Sequence, residues 1–280
     1  MSELEALLLG IVQGLTEFLP ISSSGHLILV PWLQDYRFLI DHPAFNRTFD
    51  VALHAGTLVA AVAYFRKDIG PILSAFFTSL RRREITEPRE RLAWLIAIGT
   101  VPAVLFGGLA GDFIDAHLAE PWLIAVNLIV FGIVLYLVDR LPESRNMDEV
   151  RPRDGIIIGL AQAVALVAGT SRSGITISAA RLLRMDRDTA ARVSFLLLIP
   201  AVFGATVYKA YKAVHDGLPP DVAGPMIVGT LAAAISGYIA IAFLLAIVRR
   251  YSYTPFVVYR IAVGLFILGL ISTGVRSATF

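Results

Sequence analysis

The sequence predicts an all-α polytopic membrane protein, on three observations. The 280 residues are 56% hydrophobic and only 16% charged, with a mean hydropathy of +0.72; soluble domains run about half apolar and about a quarter charged. Six apolar stretches are long enough to cross a bilayer, at roughly 49–65, 93–110, 121–138, 193–208, 226–248 and 256–275. Two further apolar regions, roughly 3–33 and 156–184, are each broken by a polar run. The chain therefore reads as one integral membrane domain over 1–280: six transmembrane helices plus two re-entrant helix hairpins, with repeat halves of roughly 1–138 and 150–280.

Composition also excludes. The net charge is only +2 although the pI is near 9, so the chain carries no electrostatic footprint for nucleic acid. It has no cysteine and hence no disulfide framework. The opening MSELEALLLG holds two acids and no basic leader region, so this segment is expected to stay in the fold.

In chain order, the first broken region splits at Leu19-Pro20-Ile21-Ser22-Ser23-Ser24-Gly25 and the second at Ala168-Gly169-Thr170-Ser171-Arg172-Ser173-Gly174. The apolar arms on either side are about 12–17 residues, short for a crossing. Irregular backbone at membrane depth survives only where protein or a wet cavity surrounds it. The breaks are therefore where function is expected. Lysine and arginine then set the orientation. Seventeen lie in the segments 66–91, 140–153, 181–192 and 249–250, read as loops. Five lie on the other side: Arg37, Arg47, Lys209, Lys212 and Arg276. The richer side is expected to be cytoplasmic, which turns both termini and the first hairpin outward and brings the second hairpin in from the cytoplasm.

The two broken regions align without gaps at an offset of 149: Gln13 on Gln162, Ser22 on Ser171, Ser24 on Ser173, Gly25 on Gly174. Breaks entering from opposite faces mark an inverted repeat whose broken helices meet near the midplane. Close helix packing alone would explain the small residues, but it does not call for Glu17, His26 or Arg172.

The residues at the breaks suit phosphate. Ser22–Ser24, and Ser171 with Ser173, precede restarting helices as N-caps, and helix N-termini offer free N–H groups to anions. Arg172 adds a planar cationic fork; its structural alternative is an ion pair with Glu17. Gln13 and Glu17, four apart, share a helix face and can turn oxygens toward Mg2+ or Ca2+. One carboxylate is a poor cage, so such a cation would be held largely by substrate. Ser23 or His26 could attack phosphorus, or water could with His26 as base, Glu17 managing the proton; the sequence does not choose. His54 is read as an ordinary packed histidine, and Arg260 and Asn127 as snorkelling or interhelical hydrogen-bonding residues.

EFLPISSSGH and GTSRSGITIS resemble the two motifs of the bacterial undecaprenyl-diphosphate phosphatases, the bacitracin-resistance family. The likeness continues through SFLLLIPA at 194–201 and YTPFVVYR at 253–260. The resemblance implies a metal-dependent enzyme of the bacterial inner membrane. It would remove the terminal phosphate of undecaprenyl diphosphate and recycle the lipid carrier for cell-wall synthesis, with its site open to the periplasm. It implies catalytic roles for Glu17, Ser23, His26 and Arg172, substrate contacts from Gln13, Ser22, Ser24, Ser171, Ser173 and Thr176, and a divalent cation, Mg2+ or Ca2+, on Glu17 and Gln13. The family's second motif has proline where this chain has Ala168, which softens the turn and removes no chemical group. The implied partners are the polyprenyl diphosphate lipid and the membrane itself; a homodimer is compatible with the sequence and not required by it. The rival reading is a transporter or flippase of a phosphorylated lipid or other anion, which would use the same midplane site.

Overall fold

The computed structural model describes residues 1–216 and 222–279. Among the described residues twelve α-helices follow one another: α1 (Glu3–Phe18), α2 (Ser23–Gln34), α3 (Arg37–Asp41), α4 (Pro43–Tyr64), α5 (Arg66–Arg82), α6 (Pro88–His117), α7 (Pro121–Asp139), α8 (Asp154–Val164), α9 (Arg172–Leu182), α10 (Arg187–Asp216), α11 (Ala223–Val248) and α12 (Thr254–Ser272). A 3-10 turn at Met147–Glu149 joins the halves. Local chemistry sets the starts. Ser2 and Glu5 form a capping box at α1. Proline occupies the first turn of α6, α7 and α12, where a missing N–H costs nothing.

Among the described residues, five helices are long and apolar enough to cross a membrane: α6, α7, α10, α11 and α12. The sixth expected span is α4, which turns through 82° into α5. α5 itself corrects the reading of 66–91 as a loop. Ile69, Ile72, Leu73, Phe76, Phe77 and Leu80 recur at helical spacing, a pattern masked by the basic residues around it. Exposed apolar side chains such as Leu109, Phe113, Ile235 and Leu265 coat the outside, as lipid contact requires.

Inside, α1 packs on α11, α4 on α11 and α10, α6 on α8, and α7 on α12. The α1–α11 contact is backbone-close: a Cβ at Gly14 would stand 1.9 Å from Ser236 Oγ and 2.6 Å from Ala233 O. Arg181, counted above among loop charges, is fully buried. It donates to the carbonyls of Asp139, Leu141 and Met185, while Arg187 donates to the Asp139 carboxylate at 2.7 Å and Tyr253 N–H to its other oxygen at 3.0 Å. This network fastens the ends of α7, α9, α10 and α12 together. The side chains of Lys209 and Lys212 lie outside the described residues.

Candidate active site

Both breaks are built alike. Pro20 disfavours helix at Leu19 and ends α1 at Phe18. Ser22 then takes φ 78° and caps α2 by accepting from Gly25 N–H at 3.3 Å. In the second break Ser171 takes φ 74° and caps α9 by accepting from Gly174 N–H at 3.1 Å. A non-glycine residue at such an angle costs roughly 1–3 kcal/mol and persists only where its surroundings impose it. The hydroxyl pairs match too, Ser22 with Ser24 at 3.5 Å and Ser171 with Ser173 at 3.2 Å. The repeat read from four identities thus extends to backbone angles.

The two breaks meet. Ser173 Oγ donates to Leu19 O at 3.0 Å. Gly169, at φ 87°, lies so close to α7 that a Cβ would stand 2.6 Å from Ile124 O. Arg260 is fully buried and does not snorkel. Its guanidinium donates to Pro20 O of the first break (3.2 Å), to Gly169 O and Thr170 O of the second (2.9 and 3.0 Å), and to Leu128 O and Asn127 O of α7 (3.0 and 3.3 Å). Asn127 donates to Ala168 O at 2.9 Å, as an interhelical bond should.

Glu17 is the hub of the polar groups. Its Oε1 accepts from Arg172 Nη2 at 3.0 Å, and its Oε2 accepts from Ser23 Oγ at 2.5 Å and from Gln13 Nε2 at 3.2 Å. Ser23 and Arg172 are each the first residue of their restarting helices, and they are equivalent under the 149-residue offset. Each half therefore supplies one polar group to the same carboxylate. Arg172 is aimed from behind: Nη1 donates to Ser194 O at 3.1 Å, and the Thr176 hydroxyl joins Arg172 O to Ser194 Oγ, both at 2.7 Å.

The two histidines differ from expectation. His26 does not pair with Glu17. Its Nδ1–H donates to Ser22 O at 2.7 Å, which leaves Nε2 as the acceptor for the Tyr259 hydroxyl at 2.8 Å. His54 also donates from Nδ1, to Asp50 O at 2.7 Å, but its Nε2 faces Glu17 Oε2 at 3.8 Å. It also lines a cavity of about 610 Å³. Asn46, Arg47, Asp50 and His54 bring a polar stripe of α4 to that cavity, and Leu118, Leu166 and Val202 are among its apolar lining. The lining thus offers polar groups for phosphate and water and apolar surface for a hydrocarbon chain. The 3–4 residue spacing of the stripe was the available signal for His54.

The structure sorts the expected substrate contacts. Ser24 lines the cavity. The hydroxyls of Ser22, Ser171, Ser173 and Thr176 are buried and engaged in caps, in the join between hairpins and in holding Arg172. Around Glu17 the donor set for a cation is thin: among the described residues no three His, Cys, Asp or Glu side chains gather as a metal cage. Gln13 Oε1, however, is buried with no hydrogen-bond partner among the described residues. One carboxylate and one orphaned amide oxygen fit a cation that brings most of its ligands with it.

Comparison with known proteins places the chain in a family. An undecaprenyl-diphosphatase of Thermomicrobium roseum is 45% identical over 277 residues, covering 96% of this chain and 98% of the relative. One from Geobacter sulfurreducens is 46% identical over 266 residues, covering 94% and 96%. One from a Nocardioides species is 45% identical over 277 residues, covering 98% of each. The family described as bacitracin resistance protein BacA matches residues 6–266. A multi-pass α-helical membrane protein with this sequence belongs to that family.

Proposed function

We propose that this chain hydrolyses undecaprenyl diphosphate to undecaprenyl phosphate and inorganic phosphate, with Ser23 as the attacking group. The convergence of Ser23 and Arg172 on Glu17 carries the reading, in a chain whose relatives are named for that activity. The Ser23 proton already points at a carboxylate, whereas His26 Nε2 is occupied by Tyr259. In the first half Ser23 Oγ attacks the terminal phosphorus, its proton passes to Glu17, and the bridging P–O bond breaks to release the lipid monophosphate. In the second half water attacks the phosphoserine and Ser23 Oγ leaves with the proton held on Glu17. One water proton stays on the phosphate and the other is released to solvent. Arg172 turns fixed donors toward the oxygens on which charge develops. Glu17 and the orphaned Gln13 oxygen would hold a divalent cation, Mg2+ or Ca2+, which supplies charge neutralisation for the diphosphate.

The setting belongs to the same proposal: a bacterial inner membrane, both termini outward and the cavity open to the periplasm, so that the carrier is recycled for peptidoglycan synthesis. The lysine and arginine count supports it. The test uses purified protein in detergent. Phosphate is released from undecaprenyl diphosphate, chelation of divalent cations stops it, and Ser23→Ala lowers it by at least about 10³-fold. Phosphoenzyme trapped from wild type should be acid-stable and absent from Ser23→Ala. Acid-labile label on His26 reverses the assignment, and no phosphate release at all leaves a carrier of the lipid as the function.

A further inference from the structure

Glu17 is only 5% exposed. Four side chains address it: Gln13, Ser23 and Arg172 by hydrogen bonds, and His54 across 3.8 Å. Of the four, His54 lines the cavity of about 610 Å³. It comes from α4, outside both hairpins, and 32% of its side chain is exposed. His54 thus reaches from the cavity to a buried carboxylate.

The tautomer of His54 follows from its contacts. Nδ1 lies 2.7 Å from Asp50 O, a backbone carbonyl that can only accept. Nδ1 therefore carries the proton, and in the neutral ring Nε2 is a lone pair. Among the described residues no donor reaches that lone pair. The Glu17 oxygen facing it is itself an acceptor, and 3.8 Å is past hydrogen-bond length. His26 differs here, because its Nε2 is filled by the Tyr259 hydroxyl at 2.8 Å. His54 keeps an open acceptor at the edge of a cavity, and an acceptor so placed takes a bond from water.

Water is the second reactant of the hydrolysis proposed above. A phosphoryl group on Ser23 Oγ must be attacked from the side opposite that oxygen, by a water turned along the P–O line. Glu17 does not turn it, because in this half Glu17 holds the proton that Ser23 Oγ takes back. Arg172 and the Gln13 amide nitrogen are donors, and a donor would bind the lone pair that has to attack. Gln13 Oε1 is an acceptor, but it is buried and its residue does not line the cavity. His54 Nε2 binds a water proton and leaves the oxygen lone pair free. Ser23 Oγ and His54 Nε2 approach one carboxylate oxygen at 2.5 and 3.8 Å. They are therefore no farther apart than one phosphoryl group and one water can bridge.

We propose that His54 orients the hydrolytic water in the second half of the reaction, a role that rests on Ser23 being the attacking group in the first. The cavity brings water to Nε2, which accepts one of its protons in a hydrogen bond. The water oxygen bonds to phosphorus, the P–Oγ bond breaks, and Ser23 Oγ takes the proton from Glu17. One water proton stays on the phosphate and the other goes to solvent, so His54 ends the step neutral, as it began. The first half consumes no water and does not use His54.

The test quenches the purified full chain in acid during turnover of undecaprenyl diphosphate labelled in its terminal phosphate. His54→Leu removes the acceptor, and its kcat should fall about 100-fold. It should still release one lipid monophosphate per chain in a burst, while acid-stable label builds up on Ser23. The burst shows that the variant is folded. His54→Gln, whose amide oxygen accepts the same bond, should recover about tenfold of the loss and carry less label. A wild-type kcat in His54→Leu overturns the role. So does slow turnover in both variants with label no higher than in wild type, because the first half is then what slowed. Turnover by Ser23→Ala, with no label on the wild-type chain, overturns Ser23 as the attacking group and this role with it.

Discussion

At the scale of single residues, the candidate site depends on groups that hold its backbone in place. Arg260 is the plainest case. Its guanidinium is buried, has no carboxylate partner among the described residues, and is satisfied by five backbone carbonyls drawn from both breaks and from α7. Breaks in a membrane helix leave carbonyls unbonded, and Arg260 is how this chain satisfies them. Arg260→Met keeps much of the length and removes every donor. It should cost at least about 3 kcal/mol, since each carbonyl left unpaired costs about 1–3 kcal/mol. Differential scanning fluorimetry in detergent should show a melting temperature lower by roughly 6–12 °C. An unchanged melting temperature would show that the carbonyls find other partners. This role was only half legible in the sequence. An arginine in an apolar segment announces a partner, but backbone carbonyls carry no residue identity. His54 was missed for a related reason: its partner Glu17 comes from a different helix, and only the stripe it shares with Asn46, Arg47 and Asp50 hinted at a lined cavity.

At the scale of elements, the hairpins were legible because their breaks are chemical. Pro20, the serine caps and the glycines that follow are local signals, and the structure places the helix restarts at Ser23 and Arg172. α5 was not legible in the same way. Its apolar rows are interleaved with charge, and its lipid-facing side reads as loop until the 82° bend is known. The α1–α11 contact is a packing feature that the glycines hinted at and only geometry could locate. Gly14 lies one turn before Glu17, with its Cα against Ser236 and Ala233 of α11. Gly14→Val must push α1 away from α11 and carry Glu17 with it. Overpacking of this kind costs about 1–3 kcal/mol, which a folded protein survives. A displacement of about 1 Å at a catalytic group costs on the order of 100-fold in rate. The expected outcome is a protein that purifies normally but has kcat reduced about 100-fold. Wild-type kcat would mean that α1 does not hold Glu17 through this contact.

At the scale of the whole molecule, the repeat explains why one site arises from two hairpins. The 149-residue offset places Ser23 on Arg172, but it places Glu17 on Leu166 and His26 on Ile175. The halves share a scaffold and differ in their polar groups, with Ser23 and Glu17 on one side and the Arg172 cation on the other. The proposed mechanism draws on both halves, so it calls for the two hairpins to enter from opposite faces. That makes orientation a functional prediction. The chain has no native cysteine, so single cysteines report on their surroundings without a background. Glu84 lies between α5 and α6 on the arginine-rich face, and His117 ends α6 at the other face; both are exposed. A membrane-impermeant maleimide added to intact cells should label His117→Cys, and should reach Glu84→Cys only after the membrane is opened. The reverse pattern would turn the 610 Å³ cavity, whose rim includes Ile114 and Leu118 beside His117, toward the cytoplasm. Substrate would then have to come from the inner leaflet, and a periplasmic recycling role would be lost even if the chemistry at Glu17 stood unchanged.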